Sequence, residues 1–194
     1  RLGDPVTNYL PNFQDGKSDI TVRDLLTHFS GLRPDVDLIP AWSGENTGIA
    51  LALKDKPVAA PGKRFIYSDI NFVLLAEIVR VVSGKRIDAY CAENVFQHLG
   101  MKDTFFNPPA SLRSRIAPTE KVSGNILHGV VHDPTARYMG GVAGHAGIFT
   151  TAADLARFAE MILGGGELNG KRIMQPGTVA KMTSPASPAS QPDI

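Results

Sequence analysis

The stretch PGKRFIYSDINFVLLAEIVRVVSGK, residues 61–85, decides the fold of this chain. Apolar side chains recur in its second half at helical spacing and also fill the opposite side, which predicts a helix buried nearly all round. Ser68 stands at the N-cap position, where its hydroxyl can accept a backbone N–H, and Gly84 supplies the C-terminal stop. Tyr67 therefore precedes the positive end of a buried helix, where the helix dipole favours the ionised phenol that a general base requires. The alternative is an ordinary packed tyrosine beside a capped helix.

The bulk composition is that of one globular domain. The chain has 194 residues, of which 43% are hydrophobic, and a formal net charge of +1. This length is sufficient for one sizeable core, and the scattered Lys and Arg argue against a nucleic-acid partner. No apolar stretch is long enough for a transmembrane span. Cys91 is the single cysteine, so no internal disulfide can form. Because the chain begins at Arg1 without a Met, we expect it to be a piece of a longer protein.

Further helices are predicted from capping signals and apolar spacing. Thr21 and Asp24 have the spacing of a capping box, as do Thr151 and Asp154. Helices are predicted over residues 47–53, 87–99 and 175–182, the last with Pro176 near its start. A further helix is predicted to begin at Thr151, with a buried stripe formed by Leu155, Phe158, Ala159 and Ile162. Sustained strand alternation is absent from the sequence.

Two segments lack helical periodicity. Residues 116–139 are expected to run along the surface or to line a cleft. Residues 184–194, SPASPASQPDI, are rich in Ser and Pro and are interpreted as a linker or frayed end. The organised part of the chain is therefore expected to be residues 1–183.

Histidines and glycines are the other candidates for a site. His128, His132 and His145 could together bind a metal, but the segment does not resemble a helix and no Glu lies between the first two. Residues 140–147, GGVAGHAG, precede a helix as phosphate loops do, yet they match neither common nucleotide motif. The alternative is that these glycines allow the backbone to approach another segment closely. His28, in the short helix predicted after Thr21, is interpreted as a partly buried structural histidine.

Four segments together resemble the superfamily of serine β-lactamases and penicillin-binding proteins, and most of all its class C-like serine hydrolases. They are ITVRDLLTHFSGL (residues 20–32), PGKRFIYSDINFVLLAEIVRVVSGK (61–85), HLGMKDTFF (98–106) and GGVAGHAGIFTTAADLARFAEMIL (140–163). The match runs in order along residues 1–183. The resemblance implies a mainly α chain: the helical subdomain of the α/β β-lactamase/transpeptidase-like fold, with most of the main antiparallel sheet missing.

The resemblance also implies a reaction and its residues. In this family a Ser in S-x-x-K attacks an amide, ester or lactam carbonyl and forms an acyl-enzyme, assisted by a Tyr-x-Asn element. Tyr67 matches the proton-transferring tyrosine, and Asp69 takes the position usually held by Asn. A carboxylate cannot donate as an amide does, so Asp69 changes the contacts open to a substrate. The same comparison places Arg33 at the rim of the substrate pocket, together with Gly144, His145 and Ala146.

Two elements of the family are absent from the sequence. No Ser is followed by Lys three residues later, and K-T-G does not occur. His145 begins an H-x-G spelling, but Thr151 caps a helix directly after it, whereas the third family motif lies on a strand. We therefore expect a segment of a serine hydrolase for D-alanyl peptides, β-lactams or small esters that is inactive by itself. The alternatives are a non-catalytic binding or accessory domain, and a metal-dependent hydrolase that uses His128, His132 and His145.

The remaining expectations concern partners and location. The resemblance implies no cofactor and no metal, and its partner is a small-molecule or peptide substrate. It also suggests a periplasmic or extracellular location. Helices that normally cover a sheet would expose apolar surface in this chain, so we expect self-association.

Overall fold

The computed structural model describes residues 1–187, and the end of the predicted tail, residues 188–194, lies outside the described residues. The described part is mainly helical, as predicted. The helices are α1 (Val22–Leu26), α2 (Glu45–Lys54), α3 (Asp69–Ser83), α4 (Ile87–Cys91), α5 (Gln97–Leu99), α6 (Pro134–Tyr138), α7 (Ala152–Leu163) and α8 (Pro176–Met182). A π-helical segment, Ala92–Phe96, joins α4 to α5, and 3₁₀ turns cover Val6–Asn8 and Ala110–Arg115.

Strands contribute three short antiparallel pairs within residues 1–187. They are β1 (Phe105–Phe106) with β4 (Ile148–Phe149), β2 (Lys121–Val122) with β3 (Asn125–Ile126), and β5 (Glu167–Leu168) with β6 (Lys171–Arg172). The β1–β4 pair is the long-range one, with Phe105 opposite Phe149. It fixes the chain just after the glycine-rich segment 140–147 against the chain that follows α5.

Most buried apolar side chains form one cluster, which we call the main cluster. Its buried members run from Val6 to Ala143 in sequence and include Leu25 of α1, Ala52 of α2 and Leu74 of α3. Helix α3 packs against α1, α2 and α4. The start of α3, where the predicted site lies, is therefore anchored in the largest apolar region of the described chain.

Helix α3 confirms the prediction for its ends but not for its whole surface. It begins at Asp69 after the N-cap Ser68, and its last residue, Ser83, precedes the C-cap Gly84, which is left-handed with φ +73°. Ile70, Val73 and Leu74 are buried, whereas Val82 is 67% exposed. The prediction of a helix buried nearly all round was wrong for its last turn, where Val81 is exposed as well.

Helix α7 is also rotated relative to its prediction. Thr151 caps it by accepting a hydrogen bond from the N–H of Asp154. Two residues of the predicted buried stripe, Phe158 and Ile162, pack against what we call the second cluster, in which Met161 is fully buried with Phe96, Leu99 and Met101. The other two, Leu155 and Ala159, are exposed. The buried carboxylate of Asp154 accepts hydrogen bonds from the N–H of Asp103 and from Thr104. This long-range contact turns Asp154 inward and Leu155 outward.

Helix α1 is shorter than its sequence suggests. The capping box of Thr21 and Asp24 is present as predicted. The helix ends at Leu26, and His28 lies beyond it with a left-handed backbone, φ +60°. His28 is therefore not a helical residue, and its ring contacts Tyr67 and Ser68, just before α3.

Candidate active site

Tyr67 lies two residues before α3, and 63% of its surface is exposed. Its ring stacks on the imidazole of His28, with 4.6 Å between the ring centroids and an interplanar angle of 29°. The backbone on both sides is held by the same histidine. The N–H of Ile66 donates to the carbonyl of His28 at 2.9 Å, and the N–H of Ser68 donates to His28 Nδ1 at 3.0 Å. The phenol is thus presented to solvent on a fixed support.

Ser68 is the N-cap residue of α3, but its hydroxyl does not cap the helix. The hydroxyl instead donates to the backbone carbonyl of Arg33 at 2.6 Å. The next residue, Asp69, donates its N–H to the carbonyl of Pro34 at 2.7 Å. The prediction of a side-chain cap was wrong, because the neighbouring loop offers carbonyl acceptors that turn these groups away from the helix.

A buried network of uncharged hydrogen-bonding groups contacts the His28 ring. Asn71 is fully buried in the first turn of α3, and its Nδ2 lies 3.3 Å from His28 Nδ1. The hydroxyl of Ser30 donates to Asn71 Oδ1 at 2.6 Å and accepts the N–H of Leu32 at 3.1 Å. Because these groups are buried, each hydrogen bond avoids the penalty of an unsatisfied polar atom.

Asp69 faces a second, ionisable group of side chains. Asp69, Asp133 and His145 each place one candidate ligand atom within 4.8 Å of the other two. His145 Nε2 lies 2.9 Å from Asp133 Oδ1, and the His145 side chain is 3% exposed. Asp133 also caps α6 by accepting the N–H of Ala136. The structure therefore brings together Asp69 and His145, two of the residues predicted for the site.

Burial and neighbouring charges shift the carboxyl groups in opposite directions. Burial raises the pKa of Asp69; His145 opposes this effect, while Asp133 and Asp35 add to it. Burial also acts to raise the pKa of Asp133, but the hydrogen bonds from His145 and from the N–H of Ala136 outweigh it and hold that pKa below its usual value. Asp133 is therefore the favoured anion of the pair, and Asp69 is the carboxyl that is harder to ionise.

Arg33 is near the site through its backbone more than through its side chain. Its carbonyl receives the Ser68 hydroxyl, whereas its Nε donates to Asp55 at 2.6 Å and its Nη1 to Asp37 at 3.2 Å. The Asp55 side chain is 1% exposed. The guanidinium is thus already engaged by two carboxylates, and a contact between Arg33 and a substrate stays a prediction.

The glycine-rich segment confirms the interpretation of close backbone approach. A Cβ added at Gly144 would lie 1.9 Å from the carbonyl oxygen of Phe72 in α3. A Cβ at Gly147, which has φ +119°, would lie 2.5 Å from the carbonyl oxygen of Gly141. Only glycine fits at these two positions. This close packing brings His145 to Asp69, and it places Ala146 partly buried against the main cluster.

The three histidines of the metal hypothesis have three different partners. His128 Nε2 contacts the carbonyl of Ile116 at 2.7 Å, His132 Nε2 contacts Glu120 at 3.0 Å, and His145 contacts Asp133. Within residues 1–187, the one group of three possible metal ligands includes His145 but neither of the other two. The structure does not bring the three imidazoles to one ion.

An open cleft of about 600 Å³ has Asp133 in its wall. Its lining includes Ile116, Val131, Asp133, Ala146 and Gly147. The cleft confirms that part of the aperiodic segment 116–139 lines a depression. Space for a ligand is therefore available next to Asp133 and the glycine-rich segment.

Sequence reasoning missed three residues of this site. His28 is partly buried, as predicted, but the sequence did not indicate that its ring and carbonyl contact residues 66–68. Asn71 could have been found from the sequence, because a polar residue among the apolar residues of a buried helix needs a hydrogen-bond partner. Asp133 precedes Pro134, which is the pattern of an N-cap followed by Pro at the first helical position.

Comparison with known proteins identifies the family. The sequence profile described as Beta-lactamase matches residues 1–193. The chain belongs to the β-lactamase family. Among β-lactamase relatives, an Escherichia coli (strain K12) protein named "Putative D-alanyl-D-alanine carboxypeptidase" is 31% identical over 216 residues. That alignment covers 93% of this chain and 49% of the relative, so the chain spans about half the length of the curated relatives it matches.

Solved structures agree with this assignment. The crystal structure of a "putative beta-lactamase" from Bacteroides dorei has a TM-score of 0.74 at 27% identity, covering 96% of this chain and 50% of that one. A class C β-lactamase has a TM-score of 0.68 at 22% identity, covering 84% of this chain and 44% of that one, which shows the shared fold. The resemblance derived from the four sequence segments is confirmed. Within residues 1–187, no helix has the length and hydropathy needed to cross a bilayer.

Proposed function

We propose that this chain is the helical portion of a serine hydrolase that forms an acyl-enzyme, with Tyr67 as its proton-transfer group. The observation that carries the proposal is the exposed phenol, held by stacking on His28 and by backbone hydrogen bonds at Ile66 and Ser68. A proton-transfer group must be both accessible and fixed in place. Membership of the β-lactamase family supports the reaction class.

The proposal also assigns substrate-binding roles to Asp69 and to the glycine-rich segment. Asp69 follows Tyr67 by two residues and lies within reach of His145 and Asp133, and Asp133 lines the open cleft. We assign Asp69 to orienting the substrate as a hydrogen-bond acceptor, and Gly144, His145 and Ala146 to shaping the pocket wall. Because the His145 ring is 3% exposed, it acts by holding Asp133 in place more than by direct contact.

The nucleophile and the main sheet are assigned to sequence outside this chain. None of its serines is followed by lysine three residues later. The substrates proposed for the full-length protein are D-alanyl peptides, β-lactams or small esters, and the first of these agrees with the name of the E. coli relative. An exported location, periplasmic or extracellular, belongs to the same proposal. So does self-association of the isolated chain, for which exposed side chains such as Ile39 and Leu163 supply apolar surface.

The first test is Tyr67→Phe in the full-length gene product. Removing the hydroxyl while keeping the ring is expected to lower kcat by about two to four powers of ten, as loss of a proton-transfer group does. Steady-state kinetics on a D-alanyl peptide and a chromogenic β-lactam measure the effect. Tyr90→Phe on α4 is the matched control and should leave kcat within about twofold. An unchanged kcat for Tyr67→Phe would remove this residue from the mechanism.

The second test uses the 194-residue chain itself. Incubation with a fluorescent penicillin is expected to give no covalent label, because the chain contains no Ser-x-x-Lys. The full-length product, treated in parallel, should label. A labelled fragment would show that a serine within these residues is the nucleophile. An unlabelled, inactive full-length protein would favour the non-catalytic binding domain instead.

A further inference from the structure

His28 contacts three consecutive residues on the strand-like approach to α3. Its carbonyl accepts the N–H of Ile66, its ring stacks on Tyr67, and its Nδ1 accepts the N–H of Ser68. One residue therefore fixes the backbone before and after Tyr67 and also supports the ring.

The hydrogen-bond network fixes the tautomer of His28. A backbone N–H can only donate, so Nδ1 must present a lone pair to Ser68. The Ser30 hydroxyl accepts the N–H of Leu32 and donates to Asn71 Oδ1, which leaves the Asn71 amide nitrogen facing the same Nδ1. Two donors thus point at Nδ1, and the proton of a neutral imidazole must reside on Nε2.

The backbone of His28 is in an uncommon conformation. Its φ of +60° lies in the left-handed region, which residues other than glycine enter infrequently. For a residue with a Cβ this conformation is sterically less favourable than a right-handed backbone. A glycine or asparagine would fit this position with less strain, so the ring of His28 is the part of the residue that needs an explanation.

We propose that His28 is the positioning residue of Tyr67: its unprotonated Nδ1 anchors Ser68 while its ring face sets the plane of the phenol. The proposal rests on the proposed role of Tyr67. More than half of the Tyr67 surface is exposed, so the stack on His28 has the task of limiting rotation of the ring. A displacement of about 1 Å in a reacting group can cost about a hundredfold in rate, which makes such support consequential.

The first test reads the tautomer in the unmodified chain. Long-range ¹H–¹⁵N NMR of the 194-residue protein at pH 7.5 should show the Nδ1 of His28 unprotonated and its Nε2 protonated. Observation of the opposite tautomer, or of an imidazolium at this pH, would overturn the proposal. This measurement does not depend on catalysis or on any substitution.

The second test separates the two contacts with a pair of variants. His28→Phe keeps a stacking ring but has no acceptor, whereas His28→Asn keeps an acceptor at the position of Nδ1 but has no ring. Amide hydrogen exchange at Ser68 should accelerate by at least about tenfold in His28→Phe and by clearly less in His28→Asn, since only the former leaves the N–H unpaired. His98→Phe on α5 is the matched control and should leave exchange at Ser68 unchanged.

The third test measures turnover in the full-length gene product. His28→Phe should lower kcat by about tenfold or more while KM changes by less than about threefold, because the residue acts on Tyr67 and does not touch substrate. His28→Asn should recover part of the loss. If Tyr67→Phe impairs turnover but neither His28 variant does, the positioning role is wrong and the proposed function stands. If Tyr67→Phe has no effect either, the proposed function itself fails.

Discussion

The main cluster and the second cluster bury apolar side chains alike, but only the main cluster holds a candidate site. The main cluster joins α1, α2, α3 and the chain up to Ala143. The candidate site lies where α3 begins: Asp69 is the first residue of that helix, and Tyr67 stacks on His28 just before it. The second cluster consists of Phe96, Leu99, Met101 and Met161, and it joins the segment of α4 and α5 to α7. Both clusters join segments that are distant in sequence, so distance along the chain does not explain why the candidate site lies beside only one of them.

The buried hydrogen-bond networks beside the two clusters also differ. Beside the main cluster, an uncharged network of Ser30, Asn71 and His28 lies under the phenol. Beside the second cluster, the buried carboxylate of Asp154 binds the N–H of Asp103 and the hydroxyl of Thr104. The second network continues from Thr104 to the hydroxyl of Thr150, so both networks reach an exposed residue. They differ in what they hold: the first lies against the ring of Tyr67 through His28, whereas the second fastens α7 to the chain before β1.

The strongest test of this comparison removes one fully buried side chain from each cluster. Leu74→Ala and Met161→Ala should each lower the free energy of unfolding by about 2–5 kcal/mol, through lost burial and the cavity left behind. Urea denaturation measures both losses. Only Leu74→Ala should also shift the ring resonances of Tyr67 and His28, because Leu74 belongs to the helix that carries the site. Equal shifts in both variants would mean that the two clusters are one cooperative unit.

A smaller effect is expected from Ser30→Ala. The substitution leaves Asn71 Oδ1 and the N–H of Leu32 without their buried partner, at a cost of about 1–3 kcal/mol. The same variant should increase hydrogen exchange at Ser68, because Asn71 is then free to turn away from His28. Ser111→Ala, at an exposed position, should change stability by less than about 0.5 kcal/mol. A loss of stability without any change at Ser68 would separate the network from the site.

The smallest expected effect is a gain in stability, from Asp69→Asn, whereas the substitutions above lower stability. Burial is the main reason that the pKa of Asp69 is raised, so the folded state binds this proton more tightly than the unfolded state does. Stability therefore falls as the pH rises from about 3.8 through the folded pKa, and ionised Asp69 destabilises the fold at neutral pH. Asp69→Asn should raise the Tm modestly at pH 7 and give no gain below pH 3.8. Thermal unfolding followed by circular dichroism at both pH values checks this, and a lower Tm at pH 7 would contradict it.

The sequence by itself determined the features that rest on contacts within a few residues. In the capping box of Thr21 and Asp24, side chains pair with backbone groups three residues away. The helix that begins at Asp69 follows from its apolar spacing, and its left-handed C-cap follows from the conformational freedom of Gly84. The family also followed from sequence, because four segments in a fixed order carry more information than any single motif. Tyr67 and Asp69 entered the site by that route.

Tertiary structure alone decided how the site is assembled. Ser68 contacts His28 across 40 positions and Asn71 contacts Ser30 across 41, so no local pattern specifies either pair. The same reason explains the errors: the Ser68 hydroxyl found the carbonyl of Arg33 in place of the helix, and Asp154 turned α7 toward Thr104. Propensity and capping act over one or two turns, whereas partners for buried polar groups come from whichever segment packing brings within hydrogen-bond distance.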